Sequence, residues 1–257
     1  MHIRSRLRHV PIFALAAAVL ALGPAPVSAQ PTADFLFGSP KGMIGFRSGW
    51  VFARADSELF QFVRRELTID RRDFDAPAIA VDLEVAATPR TSVIGGFEFS
   101  QGSKESEYRN FVDNQRLPIV QTSRLREMNF SGSVKFALTP RGREISSRAW
   151  IPAAVTPYVG AGAGFMRYEF LQFGDFIDVN TTNMEIFTDT LRSDGWRPSG
   201  HVFGGVDVKV WRRMYISGEA RYLWSNATAT NRDFSSDDID EIDLAGLKAT
   251  VGIHYMF

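Results

Sequence analysis

The sequence predicts an all-β fold, an eight-stranded antiparallel up-and-down transmembrane β-barrel. Three observations predict it. Eight stretches alternate apolar with small or polar residues, the period of a strand with two unlike faces. The connectors between them alternate short and long, as in a barrel with one plain rim and one elaborated rim. The polar faces carry acids and bases in matched number, as a narrow interior requires, since unpaired buried charge is costly.

Residues 1–29 stand outside the fold. Arg4, Arg6 and Arg8 form a basic start, Val10 to Leu22 an apolar run, and Val27-Ser28-Ala29 a small-residue cleavage site, the layout of a cleaved signal peptide. The apolar run is too short for a membrane span. The chain has no Cys, which excludes a lipid anchor at that site and any disulfide framework. Without those three Arg the remaining chain has 26 basic and 29 acidic residues, a balance that gives no support to nucleic-acid binding. Residues 30–41 read as an N-terminal periplasmic lead-in and 42–257 as the barrel.

The eight stretches follow in order. From Gly42 to Arg54, Ile44, Phe46, Trp50 and Phe52 alternate with Gly45, Arg47 and Gly49. From Ala78 to Ala87, Ile79, Val81, Leu83 and Val85 oppose Ala80, Asp82 and Glu84. Thr91 to Ser100 sets Val93, Phe97 and Phe99 against Ile94, Gly96 and Glu98, and Arg126 to Leu138 sets Met128, Phe130, Val134 and Phe136 against Asn129, Ser133 and Lys135. Pro157 to Phe170 carries Val159, Ala161 and Phe165 opposite Gly160, Gly162 and Gly164. Gly200 to Trp211 places Val202, Val206 and Val208 opposite His201, Phe203, Asp207 and Lys209. Arg213 to Trp224 has Met214, Ile216, Tyr222 and Trp224 opposite Ser217, Glu219 and Arg221. Leu244 to Phe257 closes the series with Leu247, Val251, Ile253, Tyr255 and Phe257 opposite Gly246, Lys248, Thr250 and His254. An even count suits a single-chain bacterial barrel.

Thr88-Pro89-Arg90 and Trp211-Arg212-Arg213 are tight links, whereas 55–77, 101–122, 171–199 and 225–243 are long and polar. Short links are expected at the periplasmic rim and long ones at the extracellular rim; the third long link mixes Phe173, Phe176, Ile177, Ile186 and Phe187 with acids and is expected to extend its strands as a hairpin above the membrane. The connector 139–156 is longer than that pattern wants, so either its strands run on or it carries structure of its own.

An aromatic terminal residue directly after an alternating strand, with Val251, Ile253 and Tyr255 before Phe257, resembles the C-terminal strand of bacterial outer-membrane β-barrels. Thr156-Pro157-Tyr158-Val159-Gly160-Ala161-Gly162-Ala163-Gly164 resembles a strand segment of small OmpA/OmpX-type barrel domains. The resemblance implies an integral protein of the cell outer membrane, exported by its signal peptide. It also implies partners: outer-membrane lipids, lipopolysaccharide, periplasmic chaperones and the assembly machinery that reads the terminal strand.

The expected lumen network is Arg47, Asp82, Glu84, Glu98, Lys135, Asp207, Lys209, Glu219, Arg221 and Lys248, five acids and five bases. In a soluble barrel or sandwich the alternation would invert and these charges would face water, with no need to balance. Trp50, Phe52, Tyr222 and Trp224 near one rim read as an aromatic girdle, with Tyr255 and Phe257 near the other. Eight strands leave an interior that side chains fill, so Gly45, Gly49, Gly160, Gly162 and Gly164 are expected inside, leaving room for Arg, Lys, Phe203 and Tyr215.

Chemistry has few candidates. Of the two His residues beyond the signal, His201 stands near Ser199 and Asp194, and His254 lies at the opposite end. One His with a nearby Ser falls short of a triad, and no enzyme and no cofactor are expected. The acidic run holding Asp237, Asp238 and Asp240 is a weak candidate for a metal, since its spacing fits no EF-hand; otherwise it is a solvated loop. Asp56 to Thr68 reads as a short helix with Leu59, Phe60, Val63 and Leu67 on one stripe. It would cap the barrel mouth, lie on the outer leaflet, or meet a partner. The expected function is a structural or envelope-interaction barrel with a filled lumen and with loops contacting the surface or lipopolysaccharide. A narrow passive pore for ions or small solutes is the alternative, and an outer-rim lipid hydrolase around His201 the third reading.

Overall fold

The computed structural model describes residues 35–146, 148–178, 185–228 and 241–257. The signal peptide and Asp237, Asp238 and Asp240 lie outside these. The strands are β1 (Leu36–Phe37), β2 (Gly42–Ala53), β3 (Ala76–Ala86), β4 (Thr91–Val112), β5 (Pro118–Ala137), β6 (Gly142–Ser146), β7 (Ala149–Pro152), β8 (Val155–Ile177), β9 (Ile186–Lys209), β10 (Met214–Trp224), β11 (Asn226–Thr228), β12 (Glu241–Asp243) and β13 (Gly246–Met256). One helix, α1 (Glu58–Glu66), and a 3-10 turn (Arg71–Phe74) fill the link between β2 and β3. Eight strands pair antiparallel into a closed barrel in the order β10-β13-β2-β3-β4-β5-β8-β9. Closure leaves no unpaired edge around the ring, and each strand of the wall is hydrogen-bonded to a neighbour on both sides.

The period of two places one set of residues outside and the other inside. Phe46, Val81, Val93, Val134, Val159, Val202, Ile216 and Val251 are all exposed on the outer wall, while Arg47, Asp82, Lys135, Asp207, Glu219 and Lys248 are buried within. This is the inverse of a soluble barrel. The apolar outward positions run from Ile44 to Phe52 on β2, broken by Ser48, and from Leu247 to Tyr255 on β13, which on tilted strands makes a belt on the order of 25 Å tall.

One expectation is corrected. The stretch 101–122 is no loop, because β4 and β5 stay paired up to Val112 and Pro118. Strands β8 and β9 likewise continue to the pair Ile177–Ile186. Above the belt β4 is polar on both faces, and on β5 and β8 the outer face turns polar while Leu125, Met166, Tyr168 and Phe170 face inward, so the alternation that marks a membrane strand fades or inverts although the hydrogen-bond ladder goes on. The long connector carries structure of its own: β6 and β7 join β1 in a separate sheet of order β1-β7-β6.

Helix α1 follows Ser57 in extended backbone, with Glu58 in its first turn and Arg64 and Arg65 in its last, the charge order its dipole favours. Its apolar stripe folds inward over the mouth of the barrel. Leu59, Phe60, Val63 and Leu67 bury against the inward-facing Leu125, Met166, Tyr168, Phe170 and Leu223, and against Ile242 and Leu244. Phe60 meets Phe74 and Phe170 edge-on, at ring distances of 4.7 and 5.9 Å. At the other mouth, Leu36 and Trp150 of the small sheet pack on the inward-facing Met43, Tyr215 and Met256. Apolar lids therefore sit on both ends of a polar interior.

Candidate functional site: the closed ionic lumen

Between the two lids the inward side chains form three tiers of charge. In the middle tier Arg47, on β2, spans three strands. Its Nε and Nη2 donate to the two carboxylate oxygens of Asp82 at 2.5 and 3.1 Å, and its Nη1 donates to Glu219 Oε1 at 2.7 Å and Thr250 Oγ1 at 3.2 Å. Arg221 donates to the same Glu219 oxygen at 3.1 Å from Nε, while the Tyr158 hydroxyl donates to the other at 3.1 Å. The Arg221 guanidinium stands 4.9 Å over the Phe203 ring. Two cations thus meet two anions, with a guanidinium fork at each end of the exchange.

Nearer the short turns, Lys135 donates to Glu84 at 3.0 Å and to Asp207 at 2.7 Å, and its ammonium sits 3.9 Å over the Tyr158 ring. Arg141 reaches back from the connector after β5 and donates to Glu84 at 3.3 Å, to Ser92 at 3.0 Å and to the Thr88 carbonyl at 3.0 Å. This tier is also balanced two against two. Nearer α1, Lys248 donates to Glu98 in a short contact and lies 3.7 Å from Glu127, which also accepts from Ser100 at 3.2 Å. Here one cation faces two carboxylates.

The residues expected in the lumen are found inside, and nine of the ten fall into these tiers. Lys209 stands apart at the lower rim of β9, half-buried. Sequence reasoning missed Arg141, Glu127 and Tyr158. Glu127 shares the parity of Asn129 and was readable by carrying the alternation two residues further. Tyr158 shares the parity of Gly160 in the same way. Arg141 comes from a connector, and no periodicity points to it.

The inner glycines sort by what a Cβ would strike. A Cβ on Gly160 would lie 2.3 Å from Phe203 Cζ, on Gly45 2.8 Å from the His254 ring, and on Gly252 2.4 Å from Arg47 Cγ. The absence of a side chain there is what admits the large neighbour. Gly49 and Gly164 instead face backbone, each 2.0 Å from a carbonyl oxygen. Tyr215 does not lie over an inner glycine but belongs to the lower lid. Gly162→Ala would put a methyl 2.4 Å from the Gly132 carbonyl and is expected to cost about 1–3 kcal/mol. Gly218→Ala, with nothing within 4 Å, is expected to be neutral or to stabilise by about 0.4–1 kcal/mol. Urea midpoints of the two refolded variants check this; equal shifts would contradict it.

The residues weighed for hydrolysis are engaged separately. His201 Nε2 bonds Ser133 Oγ at 2.8 Å, and Ser199 Oγ donates to Asn129 at 2.7 Å. Asp194 pairs with Arg167 at 3.1 Å and Arg192 at 3.2 Å on the outer wall. His254 bonds Ser217 at 2.9 Å inside the barrel. Among the described residues no group of three or more His, Cys, Asp or Glu side chains is placed to hold a metal ion.

On the outer wall Trp50, Phe52, Tyr222 and Trp224 are exposed side by side, since the β2–β13–β10 register aligns Phe52, Leu247 and Tyr222. Across the barrel Phe130, Phe165 and Trp196 stand at the same rim, a part of the ring that the sequence reading left out. Immediately above them come Arg124, Arg126, Arg167 and Arg192, with Glu169 and Asp194 among them.

No protein-family model matches the sequence, and no curated protein does. The solved structures it is similar to are small outer-membrane β-barrel proteins. Neisserial surface protein A is 8% identical, with 88% of this chain and 98% of that one covered and a TM-score of 0.47. The outer membrane protein OprG of Pseudomonas aeruginosa is 11% identical, with coverages of 86% and 99% and a TM-score of 0.47. The attachment invasion locus protein Ail of Yersinia pestis is 14% identical, with coverages of 86% and 100% and a TM-score of 0.41.

Proposed function

We propose that this chain is an integral outer-membrane scaffold with a sealed lumen, and that it works through the wall it raises above the membrane. The observation that carries this reading is the double closure. Apolar lids cover both mouths, and between them the charged side chains pair across the barrel, an arrangement that among the described residues favours a closed lumen over an aqueous path. The apolar belt, the aromatic rim above it and the polar interior support the membrane setting. No helix of the described residues is long and apolar enough to cross a membrane, so a crossing falls to the strands. Val251, Ile253, Tyr255 and Phe257 line the outer face of β13, where assembly machinery would read them.

Contact with lipopolysaccharide is supported by the four guanidinium groups directly above the belt on β5, β8 and β9. Two carboxylates answer them, which leaves net positive charge at the height of the outer-leaflet phosphates. The paired extensions of β4, β5, β8 and β9 stand above this as a platform for envelope or surface molecules.

Planar-bilayer recording of the refolded barrel tests the reading. We expect no discrete openings from protein whose insertion and folding are verified. Reproducible unitary currents would overturn the sealed lumen and favour the narrow pore.

A further inference from the structure

The rim with the short turns is at once strongly basic and openly apolar. Outside the barrel strands it is built from 36–41, 87–90, 138–154, 210–213 and Phe257, and these segments carry seven Lys/Arg against one side-chain carboxylate, Glu144. Arg141 turns into the lumen, which leaves six cations around the rim. Among them stand large apolar side chains with no protein cover: Phe37 is 83% exposed, Trp211 71% and Phe257 51%.

A cleft of about 390 Å³ opens where these features meet, between the 36–41 segment, Arg213 and Phe257. Its floor is fixed by backbone: the Lys41 and Gly42 amides both donate to a carboxylate oxygen of Phe257, the last residue, at 3.0 and 3.2 Å. The Lys41 ammonium has no hydrogen-bond or ion-pair partner among the described residues. Arg213 makes one long bond, 3.5 Å to the Met256 carbonyl. Two cations with donors to spare therefore border the cleft against the one carboxylate of Phe257, whose oxygen already accepts two backbone amides, which leaves a net positive charge.

We propose that this cleft seats the phosphate headgroup of an anionic phospholipid in the periplasmic leaflet, held by Lys41 and Arg213, with its acyl chains along Phe257 and Tyr255. The inference rests on the membrane reading above. Charge complementarity calls for an anion, and the surroundings choose its source. The cleft opens at the lower edge of the apolar belt, and aromatic residues exposed beside cations are the pattern of a membrane interface. A soluble anion would use the cations and leave Phe37, Trp211 and Phe257 in water.

The test is native mass spectrometry of the full chain refolded in a zwitterionic detergent, titrated with short-chain phosphatidylglycerol or phosphatidylcholine. Phosphatidylglycerol is expected to be retained preferentially. Lys41→Gln/Arg213→Gln should weaken it about 30-fold and leave phosphatidylcholine unchanged. Arg64→Gln/Arg65→Gln, at the opposite rim, should change neither. Equal retention of the two lipids, or undiminished phosphatidylglycerol binding by the rim double variant, would overturn the proposal. Inorganic phosphate competing at the same concentration as the lipid would reduce the cleft to a free-anion site and equally overturn it. Lys41 contributes only its backbone to the fold, so Lys41→Gln alone supplies the reading if the double variant does not refold. Protease protection of the chain in vesicles is scored in parallel. Without protection the membrane reading fails; protection without lipid preference fails the cleft alone.

Discussion

Arg47→Ala is expected to lower the unfolding free energy by about 3–5 kcal/mol. Among the described residues the guanidinium is the ion-pair partner of Asp82 on one side, and on the other it shares Glu219 with Arg221. Removing it strands Asp82 and leaves Glu219 with Arg221 as its one cation, both carboxylates being buried at 6% and 8% exposure. The loss comes from the anions left behind, and this can be checked. Arg47→Met/Asp82→Asn removes one cation and one anion together, leaves Glu219 to Arg221, and should recover most of the deficit. Urea-induced unfolding of the refolded proteins, followed by heat-modifiable mobility, gives both numbers. If the double variant is as unstable as Arg47→Ala, the cost lies in lost packing and the charge argument fails. If Arg47→Ala matches the parent, the tier is not a dry one.

Phe60→Ala should be as costly locally and act at a different place. Phe60 is fully buried beneath α1 and touches Phe74 and Phe170. Its truncation is expected to remove about 3–5 kcal/mol of packing. A helix of nine residues cannot hold itself together in water without that packing. The lid should therefore detach while the barrel below it stays closed. Trypsin should cut after Arg64 or Arg65 in the variant and spare them in the parent, with β-sheet content unchanged. Loss of the barrel itself would show that α1 is part of the wall's stability and not merely its cover.

How much of this was legible follows from where water is. Within the belt each strand has lipid on one side and packed charge on the other, so residues such as Phe46 against Arg47, or Val134 against Lys135, announce both strand and face. Above the belt that contrast disappears. Gln101 to Val112 is as much a strand as Thr91 to Ser100, yet both its faces are polar and it reads as loop. The lid helix was visible because Leu59, Phe60, Val63 and Leu67 keep a helical spacing, whereas which of three surfaces it covered was not. The small sheet was legible only as a connector too long for its place: Leu36–Phe37 is two residues long and Ala149–Pro152 ends in proline, so neither reads as a strand. The tiers were legible as composition and illegible as pairing. A count of five acids and five bases cannot say that Arg47 chooses Asp82 and Glu219, nor that Arg141 enters from a turn.

The seam between β2 and β13 has a consequence in time. Every other junction of the ring joins strands that follow one another around the barrel and can zip locally. This one aligns Met43 with Met256 and Ala53 with Gly246, pairs separated by most of the chain. Until it forms, the sheet has two raw edges, and the loop to be closed is the longest available. Arg47 lies on one side of that seam, and its partners Thr250 and Glu219 lie beyond it. Lys248 faces Glu98 across the same divide. Arg47 and Asp82 share the β2–β3 hairpin, but the salt links that cross the seam, Arg47 to Glu219 and Lys248 to Glu98, cannot assemble stepwise with the hairpins. They appear together, in the closing event, and for the chain to unfold it must break them in the same stroke.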